Sequence, residues 1–352
     1  MSLRALSSRR PVAQLAAVAL ICVAASWLAP RPAAAAEQKN VKIMLDWIVQ
    51  GTHAPFFVAN EKGYFKAEGV TAAIDPGQGA TNVAVSVAGG AYQFGYVDMP
   101  SLVAFNAKNP ATPLIAVYIA FDKSALAVIT LKSKNITKPS DLDGKRIAGS
   151  PGTAAYDTMA VLLKSGKAES AKVNWVSASG QMFGALMAKG DVDGLGGFTN
   201  SQIPALLDVG FKLEEISAMK YSDFGVDIYG LTLATTKKFA DENPETVRAV
   251  VKALNHGIVD TIADPAAALT VMKTRDAMMK LDVEKVRLDL ALELMNTPNT
   301  AQNGLSSAVP ARIQQTIDVM TDTYKFPSPP KVADIYTDKF LPPVAERMFV
   351  KK

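Results

Sequence analysis

The sequence predicts an α/β protein of two doubly wound lobes, and three observations carry that prediction. Short apolar runs of strand length alternate with runs of helix length through the first two thirds of the chain. The alternation restarts after residue 122, as a second folding unit would. A chain of 352 residues, even less a leader, exceeds what one hydrophobic core usually serves.

The leader comes first. Residues 1–36 carry Arg4, Arg9 and Arg10, an apolar run from Val12 to Leu28, and four alanines ahead of Glu37. These are the basic, hydrophobic and small-residue parts of a secretory signal peptide. The run is shorter than the roughly 20 residues of a spanning helix, so the expectation is export to the periplasm with cleavage near Ala36. Arg9–Arg10 leave the general and the twin-arginine export routes both open. Cys22 is the one cysteine, and Ile21 precedes it where a lipoprotein signal has a small residue, so no lipid anchor is expected. Beyond Glu37 no disulfide, thiol nucleophile or cysteine-ligated metal can form. Four of the 37 basic residues also fall in the leader, with no acid beside them, leaving 33 basic against 33 acidic residues in the remainder. That balance gives no argument for a nucleic-acid partner or an anionic surface.

Residues 41–45 read as a strand and 54–63 as a helix closed by Lys62–Gly63. Residues 71–74 make a second strand, 75–79 a loop, 83–88 a helix ending in Gly89–Gly90, and 94–97 a third strand. The second unit reads as a strand at 126–131, a turn at 139–144, and a strand at 146–149 running into a helix at 155–164. A strand at 173–176, a helix at 182–189 and a strand at 192–195 complete it. After 229–234 the character becomes helical, with Pro244–Glu245 and Asp264–Pro265 each opening a helix. The expected sheets are mostly parallel, with helices on both faces. The expected domains are a first lobe over 37–121, a second over 122–230, and a return to the first over 231–352, with crossings near 121 and 230.

Open α/β sheets collect ligand groups at the carboxyl ends of their strands, which selects the candidate residues. Asp46 and Trp47 follow the first strand. Trp47 offers a flat face to a ring and Asp46 an acceptor to an N–H, or the two are a half-buried tryptophan and a helix-capping aspartate. His53 either hydrogen-bonds ligand or caps the helix beginning near Pro55; no partner cluster supports a metal. Asp98 either faces ligand or caps the helix of 101–106. The loop of Gly149, Ser150, Pro151, Gly152 and Thr153 joins a strand to a helix, so its N–H groups can grip an acceptor or simply start the helix; it lacks the lysine of a phosphate-binding loop. Tyr156 from that helix, and Phe198 with Asn200 from a neighbouring loop, can close over the site. Tyr229 and Asp227 lie near the return crossing. His256, within a helix, reads as structural.

Several of these residues sit in ordered motifs. Leu45-Asp46-Trp47 followed by His53-Ala54-Pro55-Phe56-Phe57, then Lys62-Gly63-Tyr64-Phe65, resembles the opening of the solute-binding proteins related to thiamine-pyrimidine synthase. Phe94-Gly95-Tyr96-Val97-Asp98, Leu142-Asp143-Gly144-Lys145-Arg146-Ile147-Ala148, Gly190-Asp191-Val192-Asp193-Gly194 and Tyr336-Thr337-Asp338-Lys339-Phe340 are similar to later signatures of that family. The resemblance implies the type II periplasmic binding protein fold. It also implies a ligand held between lobes, and partnership with a membrane permease and its ATPase subunit. Gly196-Gly197-Phe198-Thr199-Asn200 resembles the loop of the members that bind thiamine-precursor pyrimidines. Val49–Gln50 departs from their Pro-Asn, and Gln202 stands where they carry a glutamate able to pair with the aminopyrimidine. Gln202 can donate as well as accept, which opens the site to another heterocycle or aromatic solute.

Three function classes follow. A receptor in an importer binds reversibly and catalyses nothing, with no cofactor or metal, as a monomer. A sensor subunit uses the same closed lobes. An enzyme related to the fungal pyrimidine synthases needs a cysteine-rich iron-associated motif, and a hydrolase needs a Gly-x-Ser-x-Gly elbow; the chain beyond the leader carries neither. Sulfonate, nitrate or taurine ligands rank second, because the candidate residues are aromatic, amide and carboxylate.

Overall fold

The structure is a computed structural model that describes residues 38–349, so the leader and its cleavage point lie outside the described residues. In chain order its strands are β1 (Lys39–Met44), β2 (Val70–Asp75), β3 (Phe94–Asp98), β4 (Leu114–Ile119), β5 (Leu126–Leu131), β6 (Arg146–Ala148), β7 (Asn174–Val176), β8 (Gly194–Phe198), β9 (Ile216–Lys220) and β10 (Leu231–Thr236). They form two five-stranded sheets, ordered β2-β1-β3-β10-β4 and β7-β6-β8-β5-β9. β4 and β9 are strands that the sequence analysis does not name. β4, Leu-Ile-Ala-Val-Tyr-Ile, is buried at every position, so it shows no alternation to read.

The expected mostly parallel sheets need correction. β10 runs antiparallel to both β3 and β4, and β5 antiparallel to both β8 and β9. The reason lies in the connections. β1 to β4 point the same way, so the chain leaves the first sheet at its carboxyl edge. It enters the second at that sheet's carboxyl edge too, where Leu126 pairs with Phe198 at the end of β8. The return is equivalent, since Leu231 opening β10 pairs with Asp98 closing β3. A strand entered from the carboxyl edge must run backwards, and each sheet therefore holds one reversed strand beside its parallel set. The same geometry turns the two carboxyl edges toward each other, with Asp46 and Asp98 on one and Phe198 on the other.

Packing behind the edges is aromatic and close. Phe56 meets Tyr96 edge-on at 5.1 Å between ring centres. Gly257, within the helix Pro244–Ala263, lets that helix press on the helix Ala54–Glu61: a Cβ there would lie 2.2 Å from the Pro55 carbonyl oxygen. Fully buried side chains such as Phe56 and Phe94 each contribute about 1.5–3 kcal/mol. The lobes also touch directly. Thr81 donates its N–H to the Gly152 carbonyl at 3.3 Å and its hydroxyl to Asp157 at 3.1 Å, and Asn200 donates to the Thr52 hydroxyl at 3.0 Å. No helix among the described residues is long and apolar enough to cross a membrane.

Candidate ligand site between the lobes

Both sheets reverse their winding at one point: between β1 and β3 in the first, and between β6 and β8 in the second. Loops at such points splay apart and leave a crevice, and here the two crevices face each other. The resulting cleft encloses about 500 Å³ of unfilled space, its open mouth included. Asp46, Trp47 and Asp98 line it from the first lobe, and Thr153, Phe198 and Gln202 from the second. Six of the sequence-selected residues thus share one cavity. Among the described residues, its lining contains no lysine, arginine or histidine.

Asp46 is 6% exposed and held from behind. His53 is fully buried; its Nδ1 accepts the Gln50 N–H at 3.2 Å, so the proton sits on Nε2 and is donated to Asp46 Oδ1 at 2.8 Å. His53 therefore neither lines the cleft nor caps the following helix with its side chain. It orients Asp46 instead, from the buried turn Gly51–His53. Trp47 is half-buried and reaches the second lobe. A Cβ at Gly180 would lie 2.0 Å from Trp47 Cζ2, so only glycine there leaves room for the indole.

Asp98 caps a helix and also lines the cleft. One oxygen accepts the Ser101 N–H at 3.1 Å and caps the helix Met99–Lys108. The other, Oδ2, is buried without a hydrogen-bond partner among the described residues. Burial pushes the Asp98 carboxyl up to about 6, partly offset by its hydrogen bonds and reinforced by the nearby Asp46 charge. Across the cleft, Gln202 Oε1 is likewise buried and unpartnered. Gly197 makes room for it, since a Cβ there would come within 2.7 Å of the Gln202 amide.

The remaining selected residues go elsewhere. Ser150 donates to the Ala178 carbonyl at 2.9 Å. Gly152 and Tyr156 line a separate hollow, where the Tyr156 ring tilts over Trp175 at 4.6 Å. Asn200 does not line the cleft: its amide N–H donates to Thr52, and its Oδ1 is buried without a partner among the described residues. Tyr229 is fully buried behind the crossings: its hydroxyl accepts the Val309 N–H at 2.8 Å, and Arg312, which also pairs with Asp227, covers its face. These departures share a cause, because proximity to a strand end in sequence does not say toward which side of the edge a side chain turns. Conversely, the cleft includes Gly79, Ala80, Ala155, Phe183 and Ser201, which the sequence analysis did not select. Gly79 carried a signal as the last residue of a glycine-containing loop. It sits at φ +115°, and a Cβ would lie 2.9 Å from the Gly152 carbonyl oxygen, so glycine lets the two lobes' loops meet.

A family model described as NMT1/THI5 like matches residues 50–268. The chain belongs to the NMT1/THI5-like family. A formylaminopyrimidine-binding protein of Halalkalibacterium halodurans is 26% identical over 74% of this chain and 79% of its own length. Riboflavin-binding protein RibY of Chloroflexus aurantiacus is 24% identical over 91% of each chain. Among solved structures, the periplasmic aliphatic sulphonate binding protein SsuA of Escherichia coli superposes with a TM-score of 0.63 at 14% identity, over 89% of this chain and 93% of its own. This NMT1/THI5-like chain thus has the periplasmic binding protein fold, with two mixed α/β sheets.

Proposed function

We propose that this protein is the solute-binding component of an ABC importer, and that it captures a nitrogen heterocycle with N–H donors, such as a thiamine-precursor aminopyrimidine, between its lobes. The observation that carries the reading is a pair of unpartnered acceptors, Asp98 Oδ2 and Gln202 Oε1, on residues that line one cleft from opposite lobes. A buried acceptor left unpaired costs about 1–3 kcal/mol, which a ligand donor recovers. Trp47 and Phe198 supply flat apolar surface beside those acceptors. Two carboxylates without a lining cation disfavour sulfonate or nitrate, despite the shared fold. The two relatives described above are named for binding nitrogen heterocycles, which fits the same chemistry.

Binding without catalysis suits the geometry of the one histidine near the site. Both His53 nitrogens are engaged, one accepting from Gln50 and one donating to Asp46, so neither is free to deprotonate a nucleophile. The residues proposed to contact ligand are Asp46, Trp47, Asp98, Thr153, Phe198 and Gln202. The proposed lobes meet at crossings near 121 and 230, which flex as the lobes close. Export to the periplasm, cleavage near Ala36, a monomeric state and delivery to a permease with its ATPase complete the proposal.

The test is a thermal-shift and calorimetric titration of the chain from residue 37 onward with an N-formylated aminopyrimidine, riboflavin and an alkanesulfonate. A ligand bound only by the folded state raises the melting temperature. A rise with a heterocycle alone is expected. A rise with the sulfonate alone would overturn the ligand class, and no rise with any of the three would overturn the heterocycle reading.

A further inference from the structure

The helix Thr199–Asp208, which carries Gln202 into the cleft, contains Pro204 in its interior. Proline lacks the N–H that would bond the carbonyl four residues earlier, and its ring crowds that carbonyl. The carbonyl concerned belongs to Asn200, at the base of the turn that presents Gln202. It does not go unserved. Arg287, from the helix Leu281–Met295 that follows the return to the first lobe, brings Nη1 to 3.3 Å from the Asn200 carbonyl oxygen and 2.9 Å from that of Ser201.

Arg287 is itself built in. It is 8% exposed, and its Nε is 3.0 Å from Glu284 Oε2. Glu284 in turn accepts the Gly51 N–H at 2.5 Å, and the neighbouring Thr52 accepts from the Asn200 side chain at 3.0 Å. Gly51 and Thr52 belong to the turn whose His53 orients Asp46. Two sets of hydrogen bonds, joined by the backbone of the turn at Gln50–Gly51, therefore connect the Asp46 side of the cleft, through Glu284 and Arg287, to the backbone beneath Gln202.

We propose that Arg287 is a positioning residue of the ligand site. By filling the backbone acceptor that Pro204 leaves without its intrahelical donor, it fixes the Gln202 amide relative to Asp46 and Trp47 across the lobe boundary. Pro204 is the complementary half of the device, since without it the Asn200 carbonyl would be occupied within its own helix. A lysine at 287 keeps the charge but not the planar fork that serves Glu284 and two carbonyls at once. The inference deepens the proposed binding function and rests on that reading for its ligand measurement only.

The experiment has two parts, with Arg287→Lys, Pro204→Ala, Gln202→Ala and their pairs. In the ligand-free protein, Arg287→Lys should speed amide hydrogen exchange over residues 199–208 at least tenfold and leave residues 154–165 unchanged. On the Pro204→Ala background, where the introduced alanine donates its N–H to the Asn200 carbonyl, the acceleration should fall below threefold. Unaltered exchange over 199–208, or an equal acceleration with and without Pro204, overturns the inference whichever ligand the cleft takes. In calorimetric titrations with the N-formylated aminopyrimidine, Arg287→Lys should weaken binding about tenfold, and by much less on the Gln202→Ala background. Equal losses on both backgrounds overturn the link to Gln202. Absence of binding by the unaltered protein instead counts against the proposed ligand, and the exchange result still decides the role of Arg287.

Discussion

The two edges of the cleft are built from opposite materials. The first lobe contributes charge and a large ring: Asp46 on its histidine, Trp47, and Asp98 with a buried free oxygen. The second contributes small residues and neutral polarity: Gly196, Gly197, Thr153 and the Gln202 amide, with Phe183 and Phe198 as its rings. The difference teaches where recognition and closure are divided. On the proposed function the carboxylate pair would select ligands that donate hydrogen bonds, while the glycine-rich edge lets the opposing loops approach until Trp47 lies against Gly180 and Gly79 against Gly152.

If the first lobe carries recognition, Trp47→Ala has the largest effect, weakening heterocycle binding about 100-fold with folding retained, as expected of a central aromatic anchor worth at least about 2 kcal/mol. Calorimetry on the folded variant checks it, and an unchanged Kd would move the ring contact to Phe198. Asp98→Asn comes next. It keeps the helix cap but replaces a charged acceptor, so a loss of about tenfold is expected.

The same carboxylate predicts a pH dependence in two directions. Burial raises Asp98 to about 6, so its stabilising contribution is present at low pH and lost as pH rises through that value. Across the interval from its ordinary carboxyl value the change is about 3 kcal/mol. Denaturant titrations at pH 4 and pH 8 should show this difference shrink in Asp98→Asn. Ligand that donates to the ionised carboxylate has the opposite dependence: affinity level above about pH 6, falling by up to tenfold per unit below it. Affinity that rises on acidification would mean that Asp98 binds protonated, as a donor.

The smallest effect is expected on the neutral edge. Gln202→Glu places a third carboxylate beside Asp46 and Asp98, and should shift preference about threefold toward cationic or amine-rich ligands, read as a change in ligand ranking. A ranking that does not move would leave Gln202 a filler of the space above Gly197.

Much of this was legible along the chain. Strand ends announced Asp46, Trp47 and Asp98, because β1 and β3 are short apolar runs that stop at a polar residue. The Gly196–Gly197–Phe198 segment was legible as a motif, though not as a strand, since glycine carries no strand periodicity. β4 escaped notice for the complementary reason, being buried on both faces. Tyr156 and Tyr229 looked like cleft residues until their partners, Trp175 and Arg312, appeared from 19 and 83 residues away.

What the sequence by itself determined is therefore local and chemical: the alternation of strands and helices, the glycine loops, the proline-opened helices at 244 and 265, and several of the residue types that line the cleft. These follow from hydrogen-bonding capacity and backbone freedom, which each residue carries with it. Only the tertiary structure decided the antiparallel course of β5 and β10, the burial that leaves Asp98 Oδ2 and Gln202 Oε1 unpaired, the use of His53 as a support for Asp46, and the reach of Arg287 to the Asn200 carbonyl. Each of these joins groups far apart along the chain or depends on what surrounds a group, and no residue carries its surroundings in its own name.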